Sequence, residues 1–146
     1  MAANPLEKPV EEVVAAAGED ANPGAVGGPD PAACDELRPE GAPAGMLLML
    51  ERDTLTRITL MRESQVKTPA GLGLGDSAAV VERRYGSAAE VTPHKYVEAP
   101  ASYITVWSSG PETARPRGLV YEVGREGIVT HVRAGGPSIQ YVEGCL

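Results

Sequence analysis

The side chains that could perform chemistry in this chain are few and widely spaced. The two histidines, His94 and His131, could bind a metal ion only together with carboxylates. Glu122 and Glu143 could likewise support acid–base catalysis only if folding brings them together, which their spacing does not establish. The sequence therefore predicts no bound metal or cofactor.

The serines show no sign of a catalytic nucleophile. Neither Ser77 nor Ser138 lies within the Gly-x-Ser-x-Gly turn that exposes the serine of a hydrolase. The run GLGLGD at 71–76 is a weak candidate for a phosphate loop, because it contains no lysine and its aspartate would repel phosphate. Asp76 or Ser77 is instead predicted to cap a helix. These patterns favour a protein that is not an enzyme.

The chain has two cysteines, Cys34 and Cys145. Neither has a neighbouring histidine or second cysteine to suggest a metal or redox role, which favours a disulfide over two unrelated thiols in a cytosolic protein. Disulfides persist in oxidising compartments. The first ten residues, MAANPLEKPV, show neither the basic nor the apolar region of a secretory signal. Either the protein is cytosolic, or a signal peptide has been removed; the cysteines, together with the resemblance described below, favour removal of a signal and an exported protein.

Composition argues against two classes of function. The 146 residues carry a formal charge of −7, whereas binding to nucleic acid needs clustered Lys and Arg to neutralise phosphates. The sequence contains no run of about 18 apolar residues, so no membrane-spanning helix is predicted. With no Phe and one Trp, the core must consist mainly of aliphatic side chains.

Helices and hairpins are predicted to alternate along the chain. A helix is expected at 9–17, and another is expected to start at Asp76 or Ser77 and end at Gly86. A loop rich in Gly, Pro and Ala at 18–33 is predicted to be flexible. The remaining predicted elements are β-hairpins at 45–60 and 117–136 and strands at 91–98, 102–109 and 138–145.

The two hairpins can be aligned with each other. Residues 56–58 then correspond to 130–132, with one extra residue in the second turn, and a helix precedes each hairpin. We therefore predict a tandem duplication, with a first half at 1–68 and a second half at 69–146. Together they would form one compact α+β domain, in which the antiparallel hairpins make one sheet and the helices lie on one face.

One face of the predicted sheet mixes aromatic with charged side chains. Alternation along the strands places eight residues on this aromatic-polar face: Tyr103, Thr105, Trp107, Val120, Glu122, Val129, His131 and Arg133. Aromatic residues and Arg are enriched at protein interfaces. We predict that this face binds a protein; in the alternative, Trp107 packs under the loop at 108–117 or against the first half.

Several motifs resemble those of uncharacterised bacterial envelope proteins. They are GLGLGDS at 71–77, TPHKY at 92–96, YITV at 103–106, RGLVYE at 117–122 and YVEGC at 141–145. The resemblance covers 34–146 and implies export and a disulfide, but no reaction. More remotely, the capped helix followed by an antiparallel sheet is similar to the fold shared by the β-lactamase inhibitor protein and the small outer-membrane assembly lipoprotein, although no lipid-accepting cysteine lies near Met1.

These observations predict a non-catalytic protein of the periplasm or the cell exterior. It would bind a protein partner, or take part in assembly of the cell envelope, through the aromatic-polar face. The candidate binding residues are Tyr103, Thr105, Trp107, Glu122, His131 and Arg133. The alternatives are an inhibitor of a secreted hydrolase and a small hydrolase or metal-dependent enzyme.

Overall fold

The chain is described by a computed structural model over residues 32–109, 116–142 and 145. The predicted helix at 9–17, nearly all of the predicted loop at 18–33, and Glu143 lie outside the described residues. The strands are β1 (Cys34–Leu37), β2 (Met46–Glu51), β3 (Thr54–Met61), β4 (Glu90–Pro93), β5 (Ser102–Ser109), β6 (Arg117–Val123) and β7 (Val129–Gly135). Helix α1 is Ala78–Tyr85, and 3-10 turns follow at Gly86–Ala88 and Pro137–Gln140.

The seven strands form one antiparallel sheet in the order β1-β2-β3-β7-β6-β5-β4. Both predicted hairpins are present as β2–β3 and β6–β7, and they join through the pairing of β3 with β7. The described residues are mostly sheet with one short α-helix, which is compatible with the α+β class. None of the helices in this part of the chain is long and apolar enough to cross a membrane.

Helix α1 begins and ends at the predicted residues. The Ser77 hydroxyl accepts a hydrogen bond from the Val80 N–H (3.2 Å), and Gly86, with a φ of 56°, ends the helix. The Asp76 carboxylate instead accepts from the Gly73 N–H at 2.8 Å. The glycine run is therefore a turn that Asp76 closes, and Ser77 is the helix cap.

The core lies between α1 and one face of the sheet, the helix face. Its buried side chains are almost all aliphatic: Leu60, Leu72, Val81, Ile104, Tyr121, Val123, Val129 and Val132. The Tyr121 hydroxyl lies 2.7 Å from that of Tyr85 on α1 and 2.9 Å from that of Thr68. Burial raises the pKa of Tyr121. This hydroxyl network anchors the end of α1 to the sheet.

Both hairpins contain a β-bulge at the same position. In β2–β3 the extra residue, which has no partner on the opposite strand, is Thr56. In β6–β7 the extra residue is Thr130. These two threonines correspond in the alignment of the hairpins. The hairpins thus share their register as well as their sequence pattern, while the complete helix-plus-hairpin repeat stays a prediction.

The bulge at Thr130 makes one predicted position wrong. Strict alternation put Val129 on the aromatic-polar face together with His131. Because the bulge sets two residues against one, Val129 instead pairs with Val123 and is buried in the core on the helix face. The other seven residues keep the predicted face.

The C-terminal segment is attached to β1, which forms one edge of the sheet; β4 forms the other edge. Cys34 on β1 and Cys145 form the predicted disulfide across 111 residues of sequence, and the Cys145 N–H donates to the buried Glu36 carboxylate at 2.8 Å. The strand predicted at 138–145 is wrong over 138–140, because Pro137–Gln140 form a 3-10 turn. Pro137 has no N–H to donate to a sheet, and its fixed φ suits the first turn of a helix.

Candidate functional site

Sheet register brings the predicted binding residues into adjacent rows across β5, β6 and β7. In one row Tyr103 pairs with Glu122, which pairs with His131; in the next, Thr105 pairs with Val120, which pairs with Arg133. Paired residues in an antiparallel sheet project from the same face. Trp107 lies at the end of the face, opposite Gly118. All six predicted binding residues therefore share one face of the sheet, on which Tyr103 and Arg133 are buried, at 8 % and 4 % exposed.

The carboxylate of Glu122 is the centre of a partly buried polar cluster. It accepts a hydrogen bond from Arg133 Nη1 at 2.9 Å and lies 3.2 Å from His94 Nε2 and 3.6 Å from His131 Nδ1. One carboxylate thus serves two histidines and an arginine. Burying these charges carries a desolvation cost that offsets their mutual attraction, so the cluster does not by itself imply a large gain in stability.

His94 belongs to this cluster although the sequence analysis did not select it as a binding residue. Its Nδ1 accepts hydrogen bonds from the Tyr96 and Val97 N–H groups at 3.1 and 3.2 Å, so the ring proton lies on Nε2 and is donated to Glu122. The ring stacks on Tyr103 with centroids 4.7 Å apart. Both nitrogens are therefore engaged in holding the loop after β4.

His131 lies at the solvent side of the cluster. Its Nδ1 is 3.0 Å from the Thr130 hydroxyl, and its side chain remains 37 % exposed. Desolvation is the largest influence and lowers the pKa of His131; the Glu122 carboxylate opposes this by raising it, while Arg133 lowers it further. The imidazole is therefore biased toward its neutral form.

Two buried arginines fix the C-terminal turn onto the aromatic-polar face. Arg57 Nη1 donates to the backbone oxygens of Ser138 and Tyr141 at 3.1 and 2.7 Å, and Arg133 Nε donates to that of Ile139 at 2.8 Å. Desolvation lowers the pKa of Arg57 to about 10, and it lowers the pKa of Arg133 as well. Part of the aromatic-polar face is thus covered by the chain itself.

An uncovered part of the same face forms a small cavity, which we name the aromatic socket. Its volume is about 220 Å³. The socket is lined by Tyr103, Thr105 and Trp107 of β5, Glu90 and Thr92 of β4, Val120 of β6, Arg133 of β7, and Gln140 and Val142. Half-buried Trp107 packs against the buried cluster of Tyr103, Val120 and Ile139.

A second concavity, the edge groove, lies on the other side of β4. Its volume is about 700 Å³, and it is bounded by the start of α1, β4 and the residues up to Ser102. Val91 and Tyr96 are exposed there by 48 % and 59 %. This groove could not be predicted from the sequence, because the alternation of residues within one strand does not reveal what lies beside its edge.

The histidines and Glu122 come together, but they do not form a metal centre. Among the residues described, no group of three or more His, Cys, Asp and Glu could hold a metal ion. Arg133 occupies one oxygen of Glu122, and the proton of His94 is directed at the other. A cation would have to displace both contacts.

Comparison with known proteins found no match: no protein-family model, no curated protein and no solved structure is significantly similar to this chain.

Proposed function

We propose that this chain is a non-catalytic exported protein that binds a protein partner, as a recognition or assembly module of the cell envelope. The observation that carries the proposal is the aromatic socket, where half-buried Trp107 lies beside the buried side chains of Tyr103 and Arg133. Trp, Tyr and Arg are the residue types that most often dominate the energy of protein interfaces. The aromatic-polar face therefore has the composition of a binding surface.

The size of the aromatic socket suits a side chain of a protein partner. Pockets for drug-sized ligands and cofactors usually measure roughly 300–1,000 Å³, whereas this socket measures about 220 Å³. A single protruding side chain would fill it. Polar groups on its rim, such as Thr92 and Gln140, could then pair with the partner's backbone.

Export is supported by the disulfide and by the resemblance to envelope proteins. The Cys34–Cys145 bridge is compatible with an oxidising compartment such as the periplasm or the cell exterior. The matching bulges at Thr56 and Thr130 support a further proposal, that the halves 1–68 and 69–146 arose by tandem duplication. The partner would then bind to the second half.

The proposal can be tested with a tagged chain and two single variants. We expect Trp107→Ala to lose a partner that the unchanged chain retains from an envelope extract, with the bound protein identified by mass spectrometry. Tyr141→Ala is the matched control, because Tyr141 is an aromatic residue that reaches solvent but lies outside the aromatic socket. Equal recovery by folded Trp107→Ala would contradict the proposal.

A hydrolase is the second candidate, favoured by the Glu122–His131 pair. In a nucleophile–histidine–carboxylate arrangement, the hydroxyl and the carboxylate contact different ring nitrogens. Here the Thr130 hydroxyl and Glu122 both lie near Nδ1 of His131, at 3.0 and 3.6 Å. The geometry therefore supports binding better than nucleophilic catalysis, and unchanged turnover in His131→Ala, were any hydrolysis detected, would remove this candidate.

An inhibitor of a secreted hydrolase is a special case of the binding proposal, in which the partner is itself an enzyme. Assays of secreted hydrolases with and without the added protein distinguish it from an assembly module. Inhibition that Trp107→Ala abolishes and Tyr141→Ala retains would assign the inhibitory contact to the aromatic socket.

A further inference from the structure

We propose that the partner binds as an extended strand along the outer edge of β4, with a cationic side chain in the aromatic socket and apolar side chains in the edge groove. This inference rests on the proposed function, because it takes the aromatic socket as part of a protein-binding surface. It adds the conformation of the partner and the chemistry of its side chains.

The outer edge of β4 is open among the residues that the structure describes. β4 ends the order of the sheet, pairs there only with β5, and all four of its residues are exposed. A strand paired on one side leaves the N–H and C=O groups of its other side free to pair with another chain. Addition of a peptide strand to such an edge is a common mode of recognition.

The two concavities lie on either side of this strand. Glu90 and Thr92 line the aromatic socket, and Val91, Thr92 and Pro93 line the edge groove, so that Thr92 borders both concavities. Successive side chains of a strand point to opposite faces, and an added strand follows the same alternation. A partner strand beside β4 would therefore direct alternate side chains toward the aromatic socket and the edge groove.

The walls of the aromatic socket favour a positive charge. The indole of Trp107 and the carboxylate of Glu90 line it, a combination that attracts Lys or Arg through cation–π and ionic contacts. The ring of Tyr103 takes no part in this attraction, because it stacks on His94 and already lies 5.5 Å from the Arg133 guanidinium. The positive charge of Arg133 in the same wall is paired with Glu122 at 2.9 Å. The overall charge of −7 acts in the same direction at longer range.

The edge groove favours apolar side chains. Its apolar lining includes Val91, Pro93, Pro100 and the exposed ring of Tyr96, and the charged residues of the lining are Glu82, Lys95 and Glu98. Pro93 has no N–H group and so ends the pairing on that side. The proposal therefore describes a short partner strand in which apolar residues alternate with Lys or Arg.

A defined peptide tests the inference with the intact chain. The probe is an eight-residue peptide alternating Val and Lys, blocked at both ends, and its matched control replaces Lys by Glu. Trp107 is the only Trp of the chain, so its fluorescence reports directly on the aromatic socket. We expect saturable binding of the Lys peptide, and affinity at least roughly tenfold weaker for the Glu peptide, which corresponds to about 1.4 kcal/mol.

A second probe isolates the edge pairing. Methylation of alternate backbone nitrogens, on the side of the Lys peptide that would face β4, removes hydrogen-bond donors and leaves the side chains unchanged. We expect this peptide to bind at least roughly tenfold more weakly. Equal affinity of the methylated peptide would overturn pairing with β4 and leave the aromatic socket as a protein-binding site.

Calorimetry with Trp107→Ala separates the inference from the proposed function. Loss of affinity in this variant supports both. Unchanged affinity, combined with sensitivity to backbone methylation, would retain the edge pairing and overturn the role of the aromatic socket, and with it the proposed function. Equal binding of the Lys and Glu peptides would overturn the cationic side chain, and failure of both peptides to bind would overturn the inference as a whole.

Discussion

Trp107 lies directly opposite Gly118 on the neighbouring strand, and a Cβ atom at this glycine would come within 2.8 Å of the indole. The same atom would also come within 2.8 Å of the Val106 carbonyl oxygen. The absence of a side chain at 118 thus allows the indole to lie against β6. This contact sets the wall of the aromatic socket.

Gly118→Ala is expected to destabilise the fold and move the indole. Because the added methyl group meets both an aromatic ring and backbone, the free energy of unfolding should fall by roughly 1–3 kcal/mol. Denaturant unfolding followed by Trp107 fluorescence measures both effects. Gly136→Ala is the matched control, since the nearest atoms to its Cβ lie 3.6 and 3.8 Å away, and no comparable loss is expected.

Removal of the disulfide is expected to lower stability strongly. The bridge joins residues 111 positions apart, and the chain-entropy argument gives roughly 4–5 kcal/mol for a loop of this length. Thermal unfolding of the double variant Cys34→Ser/Cys145→Ser, compared with the oxidised chain, measures the loss. Two reactive thiols in the chain purified without reductant would show that the bridge does not form.

Removal of Glu122 alone is expected to lower the free energy of unfolding more than removal of both Glu122 and Arg133. In Glu122→Leu the buried Arg133 guanidinium loses its anionic partner, and the free energy of unfolding should fall by about 3–5 kcal/mol. The double variant Glu122→Leu/Arg133→Met should regain part of this loss, because no unpaired charge stays buried. Additive losses in the double-mutant cycle would show that the two side chains are not coupled.

Stability is expected to decrease as the pH falls below the ordinary His pKa of 6.5. Because the pKa of His131 is lowered on folding, the unfolded chain binds a proton at a higher pH than the folded chain does. The contribution of His131 to the free energy of unfolding is constant above pH 6.5. It becomes increasingly unfavourable to folding as the pH falls from there toward the pKa of the folded state. In His131→Gln the loss between pH 7 and pH 5 should be smaller; an identical pH profile would contradict the prediction.

The parts of the fold that local patterns determine were predictable. Ser77 and Gly86 mark the ends of α1 through short-range hydrogen bonds and backbone conformation. The hairpins follow from alternation and turn residues, and the pairing of Cys34 with Cys145 follows because the chain has no other cysteine. Each of these signals lies within a few residues or depends on a very small set of partners.

The parts that depend on contacts between distant segments were not predictable. The bulge at Thr130 reversed the face of Val129, and no residue type marks a bulge of this kind reliably. His94 meets Glu122 only because β4 folds back on β5. The 3-10 turn over the aromatic-polar face depends on Arg57 and Arg133, which the strand pattern alone would place at the surface.

The contacts of Arg57 have a consequence for how the two halves depend on each other. This residue belongs to the first half, yet it holds the backbone of Ser138 and Tyr141 near the end of the second. The pairing of β3 with β7 and the disulfide also join the first half to the second. Each half on its own would lack the strand and the contacts that the other half supplies. The chain should therefore unfold in a single cooperative transition, and the two halves expressed as separate fragments should not fold alone.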